Sequence, residues 1–214
     1  MLMQSERQQI VDYGLKMVSS GLTTGSGGNL SILSLTDDLI AVSPSGIDYA
    51  DVAVADIVVV DHQGNIVDGK RKPSSELDFH LALYNARNEI TAVVHTHSVY
   101  ATTIACLNWE LPAVHYLIAF SGDKVPLAPY ATFGTHELAD NIINSIGSYN
   151  AVLLANHGLV TVGTDMKKCF NVAEEIELVA RIYYQAKSIG LPVLVNNEEM
   201  AVVTAKFASY GQQD

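Results

Sequence analysis

The segment Val93-Val94-His95-Thr96-His97 sets two histidines two residues apart inside an apolar run. On an extended strand such residues point the same way, about 6–7 Å apart along the chain, so one metal ion can sit between their imidazoles. The apolar residues before them predict a buried strand that holds the pair stiffly, and neutral imidazoles in a fixed arrangement are ligands that zinc prefers. Taken alone, a His-x-His pair can equally be two hydrogen-bonded core histidines, so the rest of the chain must decide. His157 stands in Asn156-His157-Gly158 between two apolar strands, where glycine allows a tight turn and the ring can project from a sheet edge. Glu76 begins a helix after Pro73-Ser74-Ser75. A glutamate there also suits capping and the helix dipole. Three imidazoles and one carboxylate, however, fill a tetrahedral shell, and a carboxylate that leaves the metal as substrate arrives can act as a base.

A second constellation could hold a phosphate. Gly25-Ser26-Gly27-Gly28-Asn29 lies between a helix and a strand, Ser43-Pro44-Ser45-Gly46 ends a hairpin, and Pro73-Ser74-Ser75 precedes a helix whose free N–H groups attract anions. Each alone is an ordinary turn; together they offer hydroxyls and backbone donors that hold a dianion without a buried lysine. Glu76 directly follows the third loop, so an anion held there lies near the metal. Of the other histidines, His80 is one helical turn after Glu76 on the same face, a group that can stand behind the metal ligands. His62 lies in a hairpin turn with solvent as its expected partner, and nothing singles out His115 or His136.

These groups need rigid elements beneath them. The pattern predicts helices over 5–20, 75–85, 101–107, 135–146, 166–188 and 196–209, with Ser5 capping the first, a serine before Glu76 capping the second, and Asn196 opening the last. Strands are predicted over 30–35, 39–43, 57–60, 65–67, 92–96, 151–155 and 159–162, several joined by short hairpins. Helices surrounding such strands argue for a three-layer α/β/α domain over residues 1–214, with a mostly antiparallel, mixed sheet at its centre. No Gly-x-Gly-x-x-Gly between a first strand and helix and no Walker lysine supports a nucleotide-binding alternative.

Composition narrows the partners. The chain has 214 residues and a net charge of −11, which argues against nucleic acid. The basic cluster Lys70-Arg71-Lys72 reads as a solvated loop or a local lure for an anionic ligand. No apolar run is long enough for a membrane span, and Met1–Arg7 lacks the features of a secretory leader. Two distant cysteines, Cys106 and Cys169, predict core filling in a reduced cytoplasm rather than a disulfide.

The chain resembles the class II aldolase/adducin family over nearly its whole length. The resemblance is carried by Gly25–Ser31, Pro44-Ser45-Gly46-Ile47, Pro73-Ser74-Ser75-Glu76, Ala92–His97, Pro112–Tyr116, Ala128–Gly134 and Asn156-His157-Gly158-Leu159. It implies a cytoplasmic zinc aldolase that reversibly cleaves L-fuculose 1-phosphate to dihydroxyacetone phosphate and L-lactaldehyde. Carried over, His95, His97 and His157 bind Zn2+, and Glu76 is a resting ligand that becomes the base. Ser26, Gly28, Asn29, Ser45, Gly46, Ser74 and Ser75 hold the phosphate, Tyr116 handles the aldehyde-oxygen proton, and Phe133 and Tyr210 line the aldehyde end. The resemblance also implies a homotetramer with active sites at subunit contacts, so that Tyr116 and Tyr210 can serve a neighbour's metal. The lysines lie in polar contexts with no apolar pocket to lower a pKa, which argues against a Schiff-base aldolase.

Rival readings are a ribulose-phosphate 4-epimerase, and an aldolase or dehydratase for another phosphorylated ketose. The epimerase carries aspartate where Glu76 stands, and an acidic residue that the stretch 115–121 lacks. A noncatalytic interaction module would be expected to have lost the histidines, and a zinc hydrolase would need an open coordination position with a base beside its water.

Overall fold

The computed structural model describes residues 1–207. Its centre is an eight-stranded sheet in the order β4-β3-β2-β1-β5-β8-β7-β6. The strands are β1 (Asn29–Ser34), β2 (Leu39–Val42), β3 (Val58–Val60), β4 (Ile66–Asp68), β5 (Ala92–Thr96), β6 (Leu127–Ala128), β7 (Ala151–Leu154) and β8 (Gly158–Gly163). Every neighbouring pair is antiparallel except β6–β7, so the sheet is mixed as expected. The helices are α1 (Gln4–Ser19), α2 (Leu77–Ala86), α3 (Val99–Cys106), α4 (His136–Ile146), α5 (Met166–Ile189) and α6 (Asn197–Phe207), with short 3-10 turns at Val54–Asp56 and Tyr116–Phe120.

Side-chain alternation assigns the two faces. Val93 and Val160 pack with Phe79 and Leu83 of α2 and Leu138 and Ile142 of α4. Ala92 and Val94 pack with Ile10 and Met17 of α1 and Phe170 of α5 on the other side, and α3 covers Leu153 and Leu159 beside the middle of α5. His95 shares the parity of Val93 and therefore faces α2, with its ring edge-on to Phe79 at 5.6 Å between centroids.

β5 lies between β1 and β8, with His95 opposite Asn29 on one side and Val160 on the other. The end of β5, the start of β1 and the β7–β8 turn thus meet at one place, and the N-terminus of α2 closes over it.

Local expectations differ from the structure in a few places. The cap of α1 is Met3, in left-handed conformation and without a side-chain cap bond, rather than Ser5. The place of Met3 is fixed by tertiary contact, since its side chain is buried. Asn196 does cap α6, its Oδ1 accepting the Glu199 N–H at 2.8 Å. Cys169 is buried, but Cys106 is exposed at the end of α3 and fills no core. Arg71 of the basic cluster pairs with Asp56 at 2.7 Å. His62 meets Asp38 at 2.9 Å instead of solvent alone. No helix of the described residues is long and apolar enough to cross a membrane.

Candidate metal centre

His95 leaves β5 buried, and its Nδ1 lies 3.0 Å from the Leu159 carbonyl of β8. A carbonyl only accepts, so Nδ1 carries the ring hydrogen and Nε2 presents a bare lone pair. That lone pair faces His97 Nε2 at 3.1 Å and His157 Nε2 at 3.2 Å. The three rings are steeply inclined to one another, with centroids 4.8 to 5.3 Å apart. Their ligand atoms cluster tightly enough to hold one metal ion.

Burial favours the neutral, ligating form of each ring. It is the main cause that holds His95 well below the ordinary histidine range, with His157 and His97 adding to it. It likewise lowers His97 and His157, the latter against the pull of Glu76.

Glu76 straddles the cluster from the N-terminus of α2. Its Oε2 lies 3.4 Å from His95 Nε2 and its Oε1 lies 3.4 Å from His157 Nε2. Glu76 is itself the N-cap of α2, with no side-chain cap bond, so the expected serine cap is not there; Ser74 Oγ accepts the Glu76 N–H at 3.2 Å in the turn just before the helix. Burial raises the Glu76 carboxyl, while His157 and the Asn29 amide pull it back down. Oε2 receives Asn29 Nδ2 at 2.9 Å, but Oε1 is buried with no hydrogen-bond partner. A buried carboxylate oxygen with no partner is costly, and three converging lone pairs beside it are the donors a divalent cation would satisfy. The residues therefore fit a metal ion.

Two glycines permit the close approach. Gly28 has φ +68°, and a Cβ there would run into the His95 carbonyl oxygen. Gly158 is needed for space rather than backbone freedom, since a Cβ would strike the Thr96 carbonyl oxygen and press on His95 and His97. The left-handed residue of the 156–158 turn is Asn156, with φ 55°, so the expected role of glycine in turning the chain falls to asparagine.

In front of the histidines opens a cavity of about 360 Å³. Ser26, Gly28 and Asn29 line it from the first loop, Ser45 and Gly46 from the second, and Ser74, Ser75 and Glu76 from the third. His97, His157 and Phe133 complete this set, and Tyr130 and Asn156, not singled out from sequence, join them. Tyr130 sits in the same segment as Phe133, which is the only sequence signal for it. The second and third loops are tied by backbone bonds from Ser45 to Lys72 and from Ser74 to Ser43, each 3.0 Å. No lysine or arginine lines the cavity among the described residues, which leaves no amine for a Schiff base.

Tyr116 is not in this cavity. It is 51% exposed on the 3-10 turn and lines a separate cavity of about 590 Å³ with Phe120 and Phe207. Tyr210 lies outside the described residues.

The family model for the class II aldolase and adducin N-terminal domain matches residues 8–184. The chain belongs to the class II aldolase and adducin family. Among its relatives, the 5-deoxy-D-ribulose 1-phosphate aldolase of Bacillus thuringiensis serovar kurstaki is 55% identical, with 100% of both chains covered. The L-fuculose phosphate aldolase of Haemophilus influenzae is 41% identical, covering 95% of this chain and 94% of that one. A solved structure of an L-fuculose 1-phosphate aldolase superposes with a TM-score of 0.94 at 46% identity, covering 95% of this chain and 96% of that chain. The aldolases of this family take small phosphorylated sugars and depend on a metal, which the three histidines could hold.

Proposed function

We propose that this protein is a zinc aldolase that cleaves a terminally deoxygenated ketose 1-phosphate to dihydroxyacetone phosphate and a short aldehyde. The single observation that carries the reading is the carboxylate of Glu76 set against three converging imidazoles at the edge of a serine-lined cavity. The relatives named above act on 5-deoxy-D-ribulose 1-phosphate and L-fuculose 1-phosphate. The higher identity to the former favours the five-carbon substrate, whose second product is acetaldehyde. L-Fuculose 1-phosphate, the sequence expectation, is the second reading and gives L-lactaldehyde. Both share the phosphorylated three-carbon half and a terminal methyl group.

His95, His97 and His157, with Glu76 at rest, hold the zinc ion. When bound, it supplies Lewis-acid stabilisation to the negative charge that develops on the ketose oxygen. The chain's own groups do the rest. Ser26, Ser45, Ser74 and Ser75, with the backbone donors of Gly28 and Gly46, hold the phosphate remote from the reacting bond, so binding energy there is converted into orientation. Asn29 belongs to this cradle as well, although one of its amide hydrogens already serves Glu76. In the synthesis direction Glu76 removes a hydroxymethyl proton from dihydroxyacetone phosphate; its burial-raised carboxyl suits a base that must also return the proton on cleavage. Tyr116 delivers a proton to the aldehyde oxygen. Because Tyr116 is exposed and outside the cavity of its own chain, it serves the site of a neighbour in a homotetramer, whereas Phe133 borders the aldehyde end of its own chain's cavity.

A coupled assay of dihydroxyacetone phosphate release tests the reading. Release from 5-deoxy-D-ribulose 1-phosphate, or from L-fuculose 1-phosphate, is expected to vanish with chelator and return with zinc. Chelator-insensitive release, or none from either sugar, would sink it.

A further inference from the structure

Behind Glu76 a polar ladder runs through an otherwise apolar layer between β1 and α2. Glu76, His80 and Tyr84 stand four residues apart on the helix, and Asn29 and Ser31 two apart on the strand. Four helical residues advance about 6 Å, and two strand residues about 6.8 Å, so the two series interleave. Asn29 Nδ2 reaches Glu76 Oε2 at 2.9 Å, and Asn29 Oδ1 meets His80 Nε2 at 2.6 Å. His80 Nδ1 meets Ser31 Oγ at 2.6 Å, and Ser31 Oγ meets the Tyr84 hydroxyl at 2.7 Å. All four supporting side chains are buried, His80 and Ser31 completely.

Donor and acceptor logic gives the ladder one direction. A carboxylate only accepts, so the Asn29 amide must turn its nitrogen to Glu76 and its oxygen to His80. His80 must then donate from Nε2. A neutral ring keeps no hydrogen on Nδ1, so Ser31 must donate its single hydrogen there, and Tyr84 must donate to Ser31. Every hydrogen points toward Glu76, and bonds aligned head to tail polarise one another.

We propose that His80 is a positioning residue that, held in its Nε2–H form by Ser31 and Tyr84, locks the Asn29 amide and thereby fixes the Glu76 carboxylate for proton transfer. The proposal rests on the reading of Glu76 as the base. It accounts for a fully buried histidine within one helical turn of the site that touches none of the cavity, and for a serine and a tyrosine hydroxyl in an apolar layer.

Two measurements on the full-length protein test it. Neutron diffraction from deuterium-exchanged crystals is expected to show deuterium on Nε2 and none on Nδ1 of His80, with the Asn29 nitrogen toward Glu76. Deuterium on Nδ1, or on both ring nitrogens, overturns the proposal whatever the enzyme's substrate. In kinetics, His80→Leu is expected to lower kcat about 10- to 100-fold with zinc content unchanged, as removing a group behind a metal site commonly does. His80→Gln, which can donate to Asn29 and accept from Ser31, is expected to recover most of the loss. Equal losses in both variants, or a loss that tracks zinc content, overturn the proposal. A wild-type protein without aldolase activity would defeat the functional reading instead, and the neutron result would still decide the ladder.

Discussion

Leu159 on β8, which pairs across the sheet with Thr96, takes the Nδ1 hydrogen of the adjacent His95 at 3.0 Å, and this bond aims the opposite nitrogen of the ring at His97 and His157. The convergence of the three rings is therefore set by sheet register. His95→Ala should reduce bound zinc from about one ion per chain to a small fraction, because two imidazoles and a carboxylate no longer make a four-donor set. Elemental analysis after dialysis checks this. Zinc content equal to that of the wild type would contradict the ligand assignment.

Glu76→Gln separates holding the metal from moving the proton. The three histidines remain, so zinc should be retained in good part. Cleavage should fall about 10²- to 10⁴-fold, the usual contribution of a positioned base. Exchange of the hydroxymethyl hydrogen of dihydroxyacetone phosphate, followed by proton NMR, reads the same step without the aldehyde. Exchange at the wild-type rate would show that another group is the base.

Tyr116→Phe should leave zinc and thermal stability unchanged, since the ring is half exposed, yet lower turnover about 10²- to 10⁴-fold. If the tyrosine serves a neighbour's site, hybrid tetramers of Tyr116→Phe and Glu76→Gln chains regain activity that neither parent has. Hybrids as inactive as both parents would place the tyrosine elsewhere.

Much of this site was legible in the sequence because its signals are local. The period of two put His95 and His97 on one face, and Ser74 and Ser75 before an amphipathic run placed Glu76 at a helix start. The three serine-bearing loops did converge on one cavity. What stayed hidden depends on distant pairing. Asn29 opposes His95 only because β1 lies against β5, a contact between residues far apart in the chain. Position 80 was visible as a neighbour of Glu76, but Ser31 and Asn29 as its partners were not. The two-residue parallel strand β6 and the 3-10 turn at Tyr116–Phe120 carry no period long enough to read. Met3 as the cap of α1 likewise reflects burial and not a capping side chain.

The neutral histidines set a pH dependence. Burial holds His80 down at about 3 and His95 well below its ordinary range, whereas histidines of the unfolded chain protonate near 6.5. Between about pH 6.5 and 3 these histidines bind protons in the unfolded chain and not in the folded one, so their contribution to stability is lost as pH drops through that window. His80 alone contributes a slope of about 1.4 kcal/mol per pH unit. Urea melts of the metal-free protein at pH 7.5 and 5 should show the decline, and His80→Gln should flatten it by that slope. A variant as steep as the wild type would mean that His80 is charged in the folded chain.

Gly28→Ala tests the close approach of β1 to β5. The added methyl group meets the His95 carbonyl oxygen, and the backbone is left-handed there, so stability should drop by about 1–3 kcal/mol. A Tm shift of several degrees together with weakened zinc binding is the expected result. An unchanged melt with full zinc occupancy would show that the strand has room to move.

Anomalous X-ray scattering at the zinc absorption edge, on crystals grown with zinc and no chelator, tests the account at its root. It should place one peak among the Nε2 atoms of His95, His97 and His157. Density free of any such peak, with the three rings still converged on one another, would contradict the account.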